Sequence, residues 1–252
     1  MRAGCGVSRV SARDGSRPPE PEILAAPRRA AAITAVIAAL TAAVFAVAAG
    51  HGALSHIQRL DDSWLRLMIS SRTPAVTSIA KVFNVLGLVY VTLPVRLAVA
   101  GYLALRRQWW HLAAFVSAVV LSEILIGPLK GIYGRARPPG SLVATSGASF
   151  PSGHAVAASV TVLAAVIALV PPGRRRVAWG LAAVAFAVLM ALSRAYLGAH
   201  WLSDAIAGLL LGTSCALLAA IATDQAQRGW RRRHTREEPG TAKDAGQPAD
   251  RR

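Results

Sequence analysis

Apolar residues fill six stretches of this 252-residue chain and thin out between them. A membrane crossing takes about 20 apolar residues. The pattern therefore predicts six spans, at roughly 31–50, 82–105, 110–129, 154–171, 177–195 and 202–222. The fourth is short for a spanning helix. The first ends in small residues, "AVAAG", as a cleaved signal peptide does. Its apolar core of about 20 residues is longer than a usual signal, so it reads as a retained helix. Residues 1–29, rich in Arg, Pro, Ser and Gly, and the charged stretch 224–252 read as disordered tails flanking a six-span domain at 30–223. Between the first two spans, "HIQRLDDSWLRLMISSR" sets Ile57, Leu60, Trp64, Leu67 and Met68 near helical spacing. That is the pattern of an amphipathic helix anchored in the interface. Pro94 predicts a kink in the second span. Gly208 and Gly212, four apart in the sixth, predict close helix packing. Glu123, an intramembrane carboxylate, is expected to pair with Arg96.

Composition supports the membrane reading, since 54% of the residues are hydrophobic. The net charge of +16 raises nucleic-acid binding as another reading. The placement of the charge argues against it. With the N-terminus cytoplasmic, 19 of the 28 Lys and Arg fall on the inner side and eight on the outer, with Arg96 inside a span. This is the positive-inside bias, with both termini cytoplasmic and no nucleic-acid partner implied. Cys5 in a polar tail and Cys215 in an apolar run predict neither a disulfide nor a metal site. His51 and His56 are five apart, off one helical face, and do not read as zinc ligands with Asp61 or Asp62.

The exceptions to the charge bias carry the chemistry. Lys130, Arg135, Arg137 and Arg194 all lie on the outer side, and His154 joins them. Groups able to carry positive charge, gathered at one interface, predict an anion site. They belong to three motifs: "KGIYGRARP" from Lys130, "PSGH" from Pro151, and "SRAYLGAHWLSD" from Ser193. His200 and Asp204 are four apart, which on a helix puts them on one face. A carboxylate beside an imidazole orients it and stabilises its cation, as in a triad without the serine. The histidine itself is then the candidate nucleophile, giving a phosphohistidine. His154 suits the general acid that protonates the leaving oxygen. Lys130, Arg137 and Arg194 suit the charge spread over a transferring phosphoryl group. Ser152 adds a hydroxyl, and Gly153 lets the start of a helix approach an anion. No Asp/Glu/His cluster suggests a metal, and no cofactor is implied.

These three motifs resemble those of the type 2 phosphatidic acid phosphatase superfamily, which includes lipid phosphate phosphatases, undecaprenyl-diphosphate phosphatases and vanadium-dependent haloperoxidases. Its pattern is Lys, six residues, Arg-Pro; then Pro-Ser-Gly-His; then Ser-Arg, five residues, His, three residues, Asp. Every motif position is met, and the likeness covers about 75–222. The resemblance implies an all-α, six-helix membrane bundle with its site near the outer face of the plasma membrane. It implies His200 as nucleophile, Asp204 as its partner and His154 as acid and base. Lys130, Arg137, Ser152, Gly153 and Arg194 would hold the phosphate. Arg135 lies outside the pattern. The expected partner is a lipid phosphate or diphosphate, hydrolysed without metal. The alternatives are a lipid phosphotransferase and a non-catalytic lipid-binding protein. Neither the particular lipid nor the oligomeric state is legible.

Overall fold

The computed structural model describes residues 20–236 apart from Gly50, and among these every regular element is a helix. They are α1 (Pro27–Ala49), α2 (His51–Ser70), α3 (Pro74–Leu86), α4 (Val89–Leu105), α5 (Trp109–Tyr133), α6 (Gly153–Leu169), α7 (Arg174–Tyr196) and α8 (Leu202–Arg236). Four of them, α1, α5, α7 and α8, are long and apolar enough to cross a membrane. The pair α3 and α4, bent by 53° at its break, makes a fifth candidate. Apolar α6 has only 17 residues, about 25 Å at 1.5 Å per residue. A chain with this many apolar helices is a multi-pass membrane protein, and large side chains such as Val36, Leu105, Val177 and Leu181 face outward to match.

The second span differs from its expected form. It is broken at Gly87–Leu88, where α3 and α4 meet at 53°, and α4 runs on as helix through Pro94. The cause is local. Thr73 caps α3 by accepting the Val76 N–H at 3.3 Å, Pro74 opens it, and the Gly87 N–H closes it on Phe83. Leu88 is extended, so a new helix must begin after it.

The chain ends also differ. The sixth span does not stop near 222; α8 continues to Arg236. The segment before α1 holds it. Asp224 accepts the Leu24 N–H at 3.1 Å, and Arg228 bonds Asp224 at 2.8 Å and the Leu24 carbonyl at 2.9 Å. Ile23 is wholly buried between them. Residues 20–26 and 224–236 are therefore packed structure, whereas 1–19 and 237–252, with Cys5, lie outside the described residues. So do the side chains of His51 and His56.

The expected amphipathic helix forms as α2, and of its apolar stripe Met68 packs against the Ala80, Tyr196 and Leu197 cluster while Ile57 and Trp64 are half-buried. Leu60 and Leu67 are exposed, while Asp61 and Leu65 are buried. The expected Arg96–Glu123 pair is present at 2.7 Å, with Arg96 Nε also donating to Thr161 at 2.9 Å.

At the centre, α6 packs against α5, α7 and α8. The contact with α8 is made by the two glycines. A Cβ on Gly208 would lie 2.5 Å from the Ser152 carbonyl oxygen, and one on Gly212 2.5 Å from that of Val156. Small residues let two backbones meet where a side chain would hold them apart. Helix α1 docks on α8 through a buried Thr41–Ser214 hydroxyl pair at 2.9 Å. It also sends Phe45 against Phe150 and Tyr133, with ring centroids 5.0 and 5.8 Å away. Because backbone faces backbone at Gly212, Gly212→Ala should destabilise the folded protein by about 1–3 kcal/mol through overpacking. Gly229→Ala, where the added methyl meets nothing within 4 Å, serves as the control. Thermal unfolding in detergent checks this; a Gly212→Ala midpoint equal to that of the control contradicts it.

Candidate active site

The three motifs meet at one end of the bundle. The first closes α5, where Gly134 takes a left-handed conformation (φ 50°) and returns its N–H to Lys130 at 3.1 Å. The second leads into α6, with Ser152 in the cap position. The third runs from the end of α7 through a turn at Gly198 (φ 67°) into α8. Hydrogen bonds join them: Ser152 N–H to the Asp204 carbonyl (3.0 Å), Lys130 Nζ to the Ala148 carbonyl (2.7 Å), and Arg137 against His200.

His200 is not on a helix. It lies in the turn before α8, so its relation to Asp204 is not that of two residues on a helical face. Its Nδ1 is 2.8 Å from the Ser149 carbonyl oxygen and 3.8 Å from Asp204 Oδ2. The shorter contact is the hydrogen bond, and a carbonyl only accepts, so the proton sits on Nδ1. That leaves Nε2 unprotonated, its lone pair accepting a hydrogen bond from Arg137 at 3.2 Å. Burial pulls the His200 imidazole below its ordinary range, against the opposing pull of Asp204. It is therefore neutral, with a lone pair to give, at neutral pH.

Asp204 is wholly buried and reaches back to its own helix start. Its Oδ2 accepts the Trp201 N–H at 2.9 Å, the return half of a capping box. The same oxygen takes the Ser149 hydroxyl. Oδ1 takes a guanidinium nitrogen of Arg135 at 2.7 Å. Ser149 thus touches both members of the pair, through its carbonyl to His200 and its hydroxyl to Asp204.

The cations divide their work. Arg137 donates to the carbonyls of Ser146 (2.7 Å), Gly147 (2.9 Å) and Ala199 (2.7 Å), tying the loop before α6 to the loop before α8. Burial lowers its pKa, offset in part by the Asp204 charge. Arg194 is 2% exposed and donates to Asn84 of α3. His154 presses on the helix break: a Cβ on Gly87 would lie 2.3 Å from its Cδ2. At Gly153, by contrast, a Cβ would meet only Ile126 at 3.5 Å.

Three buried polar atoms here have no partner: Ser152 Oγ, His154 Nε2 and Arg194 Nε. An unpaired buried polar group costs about 1–3 kcal/mol. All three can donate, which is the chemistry a bound oxyanion would need. Among the described residues, no group of three His, Cys, Asp or Glu is placed to hold a metal ion. Sequence reasoning missed Asn84, Gly87, Ser149 and Asp61, and left Arg135 without a role. None carries a spacing signal, because each reaches the site through the fold.

Two histidines, a buried carboxylate and three side chains with unpaired buried atoms thus meet in a multi-pass helical membrane protein. The PAP2 superfamily model matches residues 111–228, which contain all eight motif residues from Lys130 to Asp204. Over that segment the chain resembles the PAP2 superfamily. It is 39% identical over 123 residues to a lipid A 1-phosphatase of Rhizobium etli, covering 44% of this chain and 50% of the relative. It thus spans about half the length of that protein. It is 26% identical over 162 residues to phosphatidylglycerophosphatase B of Bacillus subtilis, covering 62% of this chain and 79% of the relative. Two crystal structures share the fold. One is a transmembrane PAP2-type phosphatidylglycerolphosphate phosphatase from Bacillus subtilis, with TM-score 0.66, 22% identity, and coverage of 79% of this chain and 96% of that one. The other is LpxE of Aquifex aeolicus, with TM-score 0.53, 23% identity, and coverage of 64% and 94%.

The unpaired atoms predict binding of orthovanadate, a tetrahedral oxyanion. Arg194→Gln should weaken it at least about tenfold, the worth of one charge-assisted hydrogen bond. Titration calorimetry in detergent reads the change, and unaltered affinity contradicts the assignment.

Proposed function

We propose that the protein is a membrane lipid phosphatase that cleaves a lipid phosphomonoester or diphosphate through a phosphohistidine, without a metal ion. The observation that carries this is the geometry around His200. Its Nε2 is unprotonated and faces the Arg137 guanidinium at 3.2 Å, its Nδ1–H is fixed by the Ser149 carbonyl, and unpaired polar atoms of Ser152, His154 and Arg194 belong to the same cluster of motifs. Phosphatidic acid, phosphatidylglycerol phosphate, lipid A 1-phosphate and undecaprenyl diphosphate fit this chemistry. The first and last follow from the motifs, the other two from the relatives' names.

In the first step the Nε2 lone pair attacks phosphorus. The N–P bond forms as the bond from phosphorus to the leaving oxygen breaks, and His154 delivers a proton to that oxygen. In the second step water attacks phosphorus, His154 takes a proton back, and the N–P bond breaks to release phosphate. Arg194, Arg137 and Lys130 stabilise charge on the equatorial oxygens, and Ser152 at the start of α6 adds a donor. The Asp204 carboxylate, 3.8 Å from Nδ1, stabilises the imidazolium-like charge that attack creates. In this reading α6 is the fourth of six spans, both termini are cytoplasmic, and the site opens at the outer face of the plasma membrane.

Release of phosphate from a panel of lipid phosphates by the purified protein tests the proposal. His200→Ala should abolish it, and EDTA should leave wild-type turnover intact. Because burial lowers the His200 pKa, the neutral nucleophile persists below the usual imidazole range. The acid limb of kcat that reflects it should therefore lie below pH 6.5, the ordinary imidazole value. A His200→Ala variant at full activity, or a strict requirement for added divalent metal, sinks the mechanism.

A further inference from the structure

Arg135 sits between two buried carboxylates on different helices. One guanidinium nitrogen donates to Asp204 Oδ1 and Ser203 Oγ, both at 2.7 Å. The other donates to Asp61 Oδ2 at 2.7 Å and Gln58 Oε1 at 2.8 Å. Its guanidinium carbon lies 5.4 Å from the centre of the Trp201 ring. Asp61, 2% exposed, is tied to the start of α8 as well. Its Oδ1 accepts the Ser203 N–H at 2.9 Å and its Oδ2 the Ser203 hydroxyl at 2.6 Å. One helix-start donor of α8 is thus satisfied from α2.

We propose that Arg135 is a positioning residue for the His200–Asp204 pair, held in place by Asp61 of α2. The interfacial helix would then set the geometry of the nucleophile. This rests on the phosphatase reading above and adds a residue to it that touches no substrate.

The physical case is one of charge and shape. Asp61 and Asp204 are both removed from water, and each is within 2.7 Å of the same guanidinium. Without that cation two buried carboxylates share a site, which neither solvation nor a distant charge relieves. The planar fork spans both because its two nitrogens point at different carboxylates. A lysine restores the charge with a single nitrogen and cannot bridge them in the same way. The arrangement therefore fixes the Asp204 carboxylate in direction as well as in charge. Asp204 in turn holds the Ser149 hydroxyl, whose own residue's carbonyl fixes the His200 tautomer. On the α2 side, Gln58 and Asp61 are one turn apart on the inward face, so both follow the helix if it shifts.

The experiment compares wild type, Arg135→Lys, Asp61→Asn, Gln58→Ala, His200→Ala and the exposed α2 control Arg66→Gln. Full-length protein in detergent is assayed for release of inorganic phosphate across pH. Arg135→Lys and Asp61→Asn should lower kcat roughly 10- to 100-fold with KM within about twofold, the scale of a small misplacement of reacting groups. Asp61→Asn removes a negative charge beside a guanidinium that it leaves in place, so its acid limb should move to lower pH, the less balanced cation disfavouring the imidazolium. The double variant should lose little beyond Arg135→Lys alone, since both act on one network. Arg66→Gln should match wild type. If Arg135→Lys does not fold, Asp61→Asn and Gln58→Ala, which keep the guanidinium, decide the matter. Inactive His200→Ala beside Asp61→Asn and Arg135→Lys with wild-type kcat and pH profile overturns the positioning role and leaves the phosphatase reading standing. Losses confined to KM overturn it as well. A fully active His200→Ala overturns the phosphatase reading itself.

Discussion

Much of this site depends on one buried carboxylate. Asp204 has no exposed surface, and isolating an ionised carboxylate in that way costs several kcal/mol unless it is fully paired. The surroundings supply an arginine, a serine hydroxyl and a backbone N–H. Each partner comes from a different piece of chain, so satisfying the charge brings those pieces into register. Arg135 carries the end of α5, Ser149 the approach to α6, and Trp201 the start of α8. The nucleophile candidate is held by the same set, because the Ser149 carbonyl takes the His200 proton.

The helices make that convergence possible by approaching closely at two glycines. Gly208 lies against the Ser152 carbonyl, and the Asp204 carbonyl takes the Ser152 N–H. The cap of α6 and the first turn of α8 are thus one packed unit. The helix break at Gly87 does similar work on the other side, leaving room for the His154 ring. Helix α6 carries Ser152 and His154 into the centre of the bundle, surrounded by α5, α7 and α8.

Much of this was legible in the sequence. Apolar runs located α1, α5, α7 and α8, and the motif spacings named Ser152, His154 and Arg194, whose unpaired buried atoms lie in the site region. The glycine pair read correctly as a helix contact, and Glu123 as a partner of Arg96. The failures have physical causes. The span expected as one helix with a kink at Pro94 is broken earlier, where Gly87 ends α3 and Leu88 is extended. The charge run after 222 looked like a solvated tail, and helix α8 persists because residues 20–26 pair with it from 200 positions away in sequence. His200 and Asp204 have helical spacing, yet the helix begins between them. Asp61 came up only as a zinc ligand that the spacing did not support, because pairing with Arg135 is a long-range contact that no local pattern encodes.

The central claim is that His200 Nε2, left unprotonated because the Ser149 carbonyl holds the Nδ1 proton, and steadied by Asp204, bonds to phosphorus. The most direct test is to quench the protein during turnover of a 32P-labelled lipid phosphate and map the labelled peptide under alkaline conditions. An acid-labile, alkali-stable phosphate on His200, absent from His200→Ala, is the predicted result. Turnover with label on another residue would contradict it.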